Sequence, residues 1–447
     1  MIVMKFGGTS VESRAAIERV AGIVRARLDR KPVVVVSAMG KTTNRLLAMA
    51  QAAVSGQRDE ALRMLHELRD FHLRESDMER TVDEHFQELT ELVKGLAILG
   101  ELTPRSLDAI ASFGERLSSR IVTNYFQHHG IPAVHADARK VIVTDNRHTH
   151  AIPLLEETYA KLESCIPRLA KTQVVVLGGF IAATEGGVTS TLGRGGSDFT
   201  ASLVGAGIGA EEIQIWTDVD GMLTADPTVI PGGHRVRVIS FEEAAELAYF
   251  GAKVLHPSTV LPAVDKNIPV LILNSRRPEV EGTRITKDAV AGNNVVKSIA
   301  CKKDVTVLNI RSTRMFMAHG FLRSIFEIFD RHQTSVDMVS TSEVSVSLTI
   351  DQGNNIDEIV RELRGFAEVS IDEGQAIVCI VGANIRETPG VAARVFRSLG
   401  DVNVCMLSQG ASALNIGFVV AGADLQKAVE RLHGEFFSEL DPAVFDA

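Results

Sequence analysis

Two glycine-rich turns in the first half of the chain carry residues suited to phosphate chemistry. The first, Lys5-Phe6-Gly7-Gly8-Thr9-Ser10, places a lysine at the end of an apolar run and two glycines before a helical stretch. Backbone amides in such turns bind anions, and a nearby lysine neutralises their charge. The second turn, residues 192–198, supplies Arg194, three glycines and Asp198 at a helix start. Together the turns favour an anion site, although either one alone is equally well explained as a flexible glycine turn.

Other motif matches are weaker. The chain contains no GxxxxGK[ST] sequence, so no Walker A loop is predicted. Residues 205–210 fit the GxGxxA form of the dinucleotide fingerprint, but they follow a helical segment and lead into a strand, which favours a helix C-terminus. Several histidines occur without a carboxylate or cysteine at fixed spacing, and we interpret them as solvated or core residues instead of metal ligands: His128, His129, His135, His148 and His150.

The elements that position these turns alternate between strands and helices. Nearly continuous apolar runs predict strands covered on both faces of a mostly parallel sheet: Met1 to Phe6, Val33 to Ser37, Val174 to Phe180, Ile213 to Val219 and Val270 to Asn274. Helical periodicity follows the first run, residues 46–99 predict a helical insert, and Ser106 is a candidate cap for the helix that carries Glu115, with Gly130 just past its end. This alternation indicates an open α/β domain with helices on both faces of the sheet.

The pattern changes near Asn293, after which a βαββαβ arrangement occurs twice. Strands at 305–310, 336–340, 344–350 and 367–371 with helices at 320–331 and 356–363 form the first unit. The second has strands at 376–381, 402–407 and 414–420 with helices at 390–399 and 425–432, and is one strand short. The run at 295–301 supplies that strand if the two units are interleaved. The predicted domains are therefore 1–292, 302–374, and 293–301 together with 375–447.

Composition excludes several classes of protein. A chain of 447 residues predicts two to four domains, at ~100–200 residues each. Its net charge of −9, with acids and bases interspersed, disfavours nucleic-acid binding through phosphate contacts. No apolar run approaches the ~18 residues of a membrane span. The first residues lack a signal peptide's apolar stretch and the cysteines show no CxxC spacing, so we expect no membrane association and a cytoplasmic location.

Taken in order, six motifs resemble the aspartate kinases of the amino-acid kinase superfamily. They are KFGGTSV at Lys5, VVSAMG ending at Gly40, FGERLS around Glu115, TLGRGGSD ending at Asp198, WTDVDG from Trp216 and FGAKVLHP around Lys253. The tail, with MFMAHGFL at Met315 and SVDMVSTSEVSVSLT at Ser335, looks like the paired ACT domains of the monofunctional, lysine-sensitive branch. The resemblance implies an amino-acid kinase fold followed by two α+β ACT domains.

The resemblance also implies a reaction, phosphorylation of the side-chain carboxylate of L-aspartate by ATP with Mg²⁺. An ionised carboxylate needs no general base, so catalysis depends on cations that neutralise the transferring phosphoryl group. Lys5 and Asp198 are the implied catalytic residues, and Mg²⁺ would be held by nucleotide oxygens and water, without a protein metal site. Alternatives are another member of the superfamily, acting on glutamate, N-acetylglutamate or UMP, and a non-catalytic amino-acid sensor.

By the same resemblance, Glu115 would bind the ammonium of aspartate and Arg194 its α-carboxylate, with Ser37, Thr43 and Ser197 as hydrogen-bonding partners. A solvated helix acid is the alternative for Glu115, less favoured between apolar Phe113 and Leu117. The implied ATP contacts are Lys5, Phe6, Gly7, Gly8, Thr217, Asp218, Leu223, Thr228, Lys253 and Val254. Leu223 and Thr228 depart from the tyrosine and arginine that the family commonly has there.

The ACT resemblance implies a homodimer or larger assembly and feedback inhibition by L-lysine, with threonine or a combination of effectors as the alternative. Asp337, with Glu343 nearby, would offer charge to the lysine ammonium, and Met315 would pack on its stem. The implied effector residues are Met315, Ala318, Gly320, Phe321, Leu322, Ser335, Val336, Asp337, Ser342 and Glu343. Ala318 replaces the serine of the closest family pattern. The alternative is that these acids are exposed loop residues and that the modules only dimerise the chain.

Overall fold

The computed structural model describes residues 1–251, 257–288, 294–311, 320–353 and 355–446. The chain forms two compact units, the first made of Met1–Met222 and Val254–Asp288 and the second of Leu223–Lys253 and Ala289–Ala447. Among the described residues no helix is both long and apolar enough to cross a membrane.

The first unit is built on a mostly parallel sheet. Its strands, with those of a small second sheet, are β1 (Ile2–Phe6), β2 (Pro32–Val36), β3 (Ala133–Ala136), β4 (Val143–Thr144), β5 (Val174–Gly178), β6 (Ile181–Thr184), β7 (Thr189–Thr191), β8 (Glu212–Thr217), β10 (Val270–Asn274) and β11 (Thr283–Thr286). The main-sheet strands of this unit are ordered β3-β5-β2-β1-β8-β10-β11, and only β11 runs antiparallel to its neighbour in this series. β1, β2 and β5 are buried along their whole length, as their β-branched sequences predict. The predicted fold class is confirmed.

Helices cover this sheet and form the predicted insert. They are α1 (Arg14–Arg25), α2 (Thr42–Val54), α3 (Arg58–Arg74), α4 (Glu79–Leu99), α5 (Pro104–His128), α6 (Leu155–Leu169), α7 (Gly196–Ile208) and α9 (Leu261–Asp265). Ser106 as the cap of α5 was wrong: the Thr103 hydroxyl accepts the Ser106 amide at 3.2 Å. The helix starts earlier because Pro104 is favourable at the first helical position, where no amide donor is needed. α7 ends at Ile208 with Gly209 at φ +59°, which confirms a helix C-terminus in place of a dinucleotide fingerprint.

The second unit contains a six-stranded antiparallel sheet. The strands and helices of the unit as a whole, in which β9 lies outside that sheet, are β9 (Val238–Ser240), α8 (Phe241–Tyr249), β12 (Val296–Arg311), α10 (Phe321–Arg331), β13 (Val336–Thr341), β14 (Ser345–Asp351), α11 (Ile356–Leu363), β15 (Glu368–Gly382), α12 (Val391–Leu399), β16 (Met406–Gln409), β17 (Asn415–Ala421) and α13 (Leu425–Phe436). The sheet order is β13-β14-β12-β15-β17-β16.

Two long strands run through the whole of this sheet. The first part of β12, up to Lys302, pairs with the end of β15, and the part from Val305 pairs with β14 and the start of β15. The sequence predicted two separate strands at each of these places, which is wrong. The register shifts after Lys302, and Asp304 adopts a left-handed φ of 57° there, so a bulge absorbs the irregularity and the strand continues. The division into two interleaved domains stays a prediction.

Candidate active site

The carboxyl end of β1 brings a lysine and two glycines to the edge of the sheet. Lys5 is 8% exposed, since β1 lies between β2 and β8. The Gly7 amide donates to the Trp216 carbonyl at 3.2 Å, which fixes the turn on β8. A Cβ on Gly8 would lie 2.9 Å from the Gly40 carbonyl oxygen, so a larger residue is excluded by backbone. Gly8 is therefore needed because its turn lies directly against the turn at Gly40.

The second glycine turn sets an acid beside that lysine. Gly193 and Gly195 have φ of +74° and +71°, conformations that glycine adopts without strain, and α7 starts immediately after them. Asp198 lies in the first turn of α7, and its Oδ1 is 2.7 Å from Lys5 Nζ. The two turns singled out in the sequence thus meet in one ion pair.

A cavity of about 340 Å³ opens beside this pair. It is lined by seven of the predicted residues, Lys5, Gly8, Ser37, Thr43, Glu115, Ser197 and Asp198. It is also lined by residues that were not predicted, Ala38, Gly40, Lys41, Asn44, Phe180, Gly193, Gly195 and Gly196. Proximity to the VVSAMG motif was a signal for Lys41 and Asn44. For Phe180, the only signal was weak: it follows closely after the end of β5.

Glu115 is a buried acid of this cavity. It is 3% exposed on α5, which excludes the solvated helix acid. Its Oε1 accepts the Ala38 amide at 3.2 Å, and within the described part of the chain its Oε2 has no hydrogen-bond partner. Burial raises the pKa of Glu115 to about 8. A carboxyl in this setting binds a proton when alone and favours a ligand ammonium as its partner.

Two predicted residues sit differently from expectation. Arg194 is exposed between Gly193 and Gly195 and does not line the cavity, and no described acid forms an ion pair with it. The Phe6 side chain is fully buried and stacks on Trp216 with ring centroids 5.9 Å apart. Its place in β1 turns the ring into the core, so an ATP contact at Phe6 would be made by its backbone, and that contact stays a prediction.

The remaining nucleotide residues follow β8 along the chain. Thr217 ends that strand, and its carbonyl accepts the Ser275 amide at 2.8 Å, which joins the ends of β8 and β10. Asp218 comes next and accepts the Thr217 hydroxyl at 3.2 Å. In the second unit, the Leu223 carbonyl accepts the Ser298 hydroxyl at 2.7 Å and Thr228 donates its amide and hydroxyl to Asp226. Lys253 and Val254 lie outside the described residues.

The predicted effector residues divide between the two ends of β13. Phe321 and Val336 pack against one apolar core, Gly320 caps α10 before Phe321, and Leu322 and Ser335 are exposed. Ser342 and exposed Glu343 lie in the turn after β13. A strand rises ~3.3 Å per residue, so Asp337 lies about 13 Å from the end of β13 at Thr341, and Glu343 lies in the turn beyond that end. The two acids are therefore at opposite ends of β13 and are not neighbours as predicted. Met315 and Ala318 lie outside the described residues.

Asp337 already has an ionic partner. Its two oxygens lie 2.9 and 2.8 Å from Lys302 Nζ, and Asp351 lies 2.7 Å from the same nitrogen. Burial nevertheless raises the pKa of Asp337 above its usual range. An added ammonium near Asp337 would oppose that effect of burial.

Comparison with known proteins gives the same family over almost the whole chain. The amino acid kinase family model matches residues 1–274, and an ACT domain model matches 378–436. The chain is 41% identical to aspartokinase 2, chloroplastic, of Arabidopsis thaliana, over 98% of this chain and 85% of that protein. It is 36% identical to lysine-sensitive aspartokinase 3 of Escherichia coli, over 98% and 99% of the two chains.

Solved structures agree with the sequence matches. E. coli aspartokinase III in complex with aspartate and ADP has a TM-score of 0.82 at 34% identity, covering 98% of this chain and all of the other. The same enzyme in complex with lysine and aspartate has a TM-score of 0.84 at 34% identity, with the same coverage. Aspartate kinase of Clostridium acetobutylicum has a TM-score of 0.84 at 28% identity, again with that coverage. Fold, motifs and full-length similarity together make this chain a member of the aspartokinase family.

Proposed function

We propose that this chain transfers the γ-phosphoryl group of ATP to the side-chain carboxylate of L-aspartate, giving 4-phospho-L-aspartate. The observation that carries the proposal is one cavity lined by both the Lys5–Asp198 ion pair and the buried carboxyl of Glu115. The first supplies charge for a phosphoryl group, and the second a partner for an amino group. The related E. coli enzyme, solved with aspartate and ADP, supports the same pair of substrates.

Lys5 and Asp198 would act on the transferring phosphoryl group. The aspartate carboxylate is ionised at neutral pH and attacks phosphorus without a base, so the barrier lies in bringing anions together. The Lys5 ammonium neutralises charge on the γ-phosphate oxygens, and Asp198, 2.7 Å away, orients it. The amides of Gly7 and Gly8 offer further donors at the same strand end.

Glu115 and Arg194 would read the amino-acid part of the substrate. Aspartate brings an ammonium, which suits the buried Glu115, and an α-carboxylate, which suits a planar guanidinium better than an ammonium. Ser37, Thr43 and Ser197 line the same cavity and provide hydroxyl groups. Arg194, exposed at the turn, would move to its carboxylate as aspartate binds.

Replacing Arg194 should weaken aspartate binding more than ATP binding. Hydrogen bonds to charged groups contribute ~1.5–3 kcal/mol, so Arg194→Ala should raise the aspartate KM by about 10- to 100-fold. Arg194→Lys should recover little, since a point charge cannot reproduce the forked contact. Steady-state kinetics with each substrate varied in turn measures this. An equal rise in both KM values, or full recovery with lysine, would contradict the assignment.

Magnesium and the nucleotide complete the proposed reaction. Mg²⁺, when bound with the nucleotide, would supply positive charge to the phosphates. Among the described residues that line the cavity the acids are Glu115 and Asp198, and Asp198 is paired with Lys5, so the ion would be carried by nucleotide oxygens and water. We propose Thr217 and Asp218 as nucleotide contacts of the first unit. Leu223, Thr228, Lys253 and Val254 stay predicted contacts.

An assay of ADP release decides between the candidate functions. Aspartate, glutamate, N-acetylglutamate and UMP are offered as acceptors at equal concentration with MgATP. We expect aspartate alone to support rapid turnover. Turnover with another acceptor would indicate a different kinase of the superfamily, and no turnover with any would favour a sensor.

L-Lysine should inhibit the parent protein at millimolar concentration. This regulation is named for the E. coli relative, and we extend it to this chain through the β13 region. Asp337→Ala should raise the lysine concentration for half inhibition by ~10-fold or more, because it removes a charge-assisted contact.

The matched control is Asp351→Ala, which removes the other carboxylate on Lys302. It should keep most of the lysine sensitivity. Equal loss in both variants would assign the effect to the Lys302 ion pairs, and an insensitive parent would refute lysine as the effector. Inhibition by threonine instead would favour the alternative effector.

We also propose a cytoplasmic homodimer or larger assembly formed through the ACT domains. Leu322 and Phe326 on α10 are 42% and 39% exposed, an apolar surface that a second copy would cover. All four cysteines are free, which suits a reducing compartment where ATP is available.

A further inference from the structure

Asp108 is a buried acid that the proposed mechanism does not use. It lies on α5 and is 1% exposed. Its Oδ1 accepts the Thr191 hydroxyl at 2.6 Å and the Thr149 amide at 3.0 Å. Its Oδ2 lies 2.7 Å from Nδ1 of His148 and 3.1 Å from the same amide. One carboxylate therefore joins α5, the loop at 148–150 and β7.

That loop packs directly against the turn of Arg194. A Cβ on Gly193 would lie 3.1 Å from Cδ2 of His150 and 3.2 Å from the Thr149 carbonyl oxygen. Thr149 itself has a φ of 72°, a left-handed conformation that residues with a Cβ adopt when their surroundings impose it. The two contacts of its amide with Asp108 are such a constraint. His150 and the Thr149 carbonyl thus lie directly against the glycine turn, while His148 contacts Asp108.

Asp108 also lies on α5, the helix that carries Glu115, the proposed partner of the substrate ammonium. Glu115 follows it by seven residues, two helical turns, so the two side chains emerge on the same face of α5. The carboxylate of Asp108 therefore connects the helix of Glu115 to the loop behind Arg194. We infer that Asp108 is a positioning residue for aspartate binding, which holds the Gly193–Gly195 turn at a fixed distance from Glu115. This inference rests on the proposed function.

The chemistry of the contact supports positioning over simple packing. A buried carboxylate is costly unless all of its hydrogen bonds are made, and an apolar residue would fill the same space at lower cost. Here both oxygens are used, and each donor found among the described residues belongs to the 148–149 loop or to Thr191, the residue that leads into the turn.

The test compares Asp108→Ala and Asp108→Asn with the parent. Asp108→Ala should raise the aspartate KM by ~10- to 100-fold, as expected for a displaced binding group, with kcat and the ATP KM within about threefold. Asp108→Asn should recover most of this loss, because an amide oxygen at the Oδ1 position still accepts from Thr191 and Thr149. Ser112→Ala is the matched control: its hydroxyl, buried on the same helix, bonds only the Ala109 carbonyl, at 2.7 Å among the described contacts, so no KM should change.

The outcomes separate this inference from the proposed function. A parent that does not phosphorylate aspartate refutes the proposed function. An active parent with an unchanged aspartate KM in Asp108→Ala, equal changes in both KM values, no recovery in Asp108→Asn, or the same effect in Ser112→Ala overturns the positioning role. If Asp108→Ala does not fold, His148→Ala removes one donor only, and the same comparison of KM values decides.

Discussion

Lys5→Ala should lose aspartate-dependent ADP formation by on the order of 10³-fold or more, the scale on which cationic residues stabilise phosphoryl transfer. Lys5 is the cation beside Asp198 in the cavity, and its ammonium is nearly buried, where it interacts with developing charge more strongly than in water. The loss should be in kcat, since the charge is needed most in the transition state. Steady-state kinetics measures it.

Two controls make this result specific. Lys41→Ala removes a positive charge from the same cavity but not from the strand end, and should keep activity within about tenfold. Because Lys5→Ala leaves Asp198 unpaired, thermal unfolding of each variant separates a folding defect from a catalytic one. Activity of folded Lys5→Ala within threefold of the parent would refute the role of Lys5.

Glu115→Gln should weaken aspartate binding by about 100-fold while it stabilises the fold at alkaline pH. The loss follows from removing the partner of the substrate ammonium, a charge-assisted contact in a buried site. In the parent, the pKa of about 8 means that aspartate binds a site that must first lose its proton. The parent Kd should therefore fall up to tenfold per pH unit as the pH rises toward 8, and level above it.

The stability effect has a definite sign. Between about pH 4.5 and 8 the folded parent keeps the Glu115 proton that the unfolded chain has released, so its free energy of unfolding decreases as pH rises across this window. Glu115→Gln lacks this decrease and should be the more stable protein at pH 8–9. Denaturant unfolding at pH 5 and pH 8.5 tests this, with Glu157→Gln, an exposed helix acid, as the control. A pH-independent parent Kd, or no stability difference at pH 8.5, would contradict the assignment.

Local signals in the sequence predicted much of the first unit. Apolar β-branched runs such as residues 33–36 are typical of strands in a sheet covered on both faces. Glycines beside Lys5 and Asp198 indicated the turns. The apolar neighbours Phe113 and Leu117 made a buried Glu115 the favoured interpretation over a solvated helix acid. These features depend on neighbours within a few residues, which is why they can be read from one chain.

Long-range packing was not predictable in the same way. Asp108, Thr149 and Gly193 are far apart in sequence, and nothing in their spacing indicates that Thr149 bonds to Asp108 and packs against Gly193. The merging of the strands around Asp304 depends on a bulge that needs β15 beside it, and the exposure of Arg194 depends on the loop geometry of two glycines. Asp337 looked available for a ligand because its partner Lys302 lies on another strand.

The long strands β12 and β15 pair with each other along both halves of the six-stranded sheet, and they also pair with β14 and β17. Opening either half breaks hydrogen bonds of strands that the other half also uses, so neither half has an independent boundary at which local unfolding can stop. Amide hydrogens of β12 should therefore exchange as one cooperative group along its length. A substitution that destabilises β14 should therefore also lower the hydrogen-exchange protection of amides in β17, although the two strands are not neighbours in the sheet.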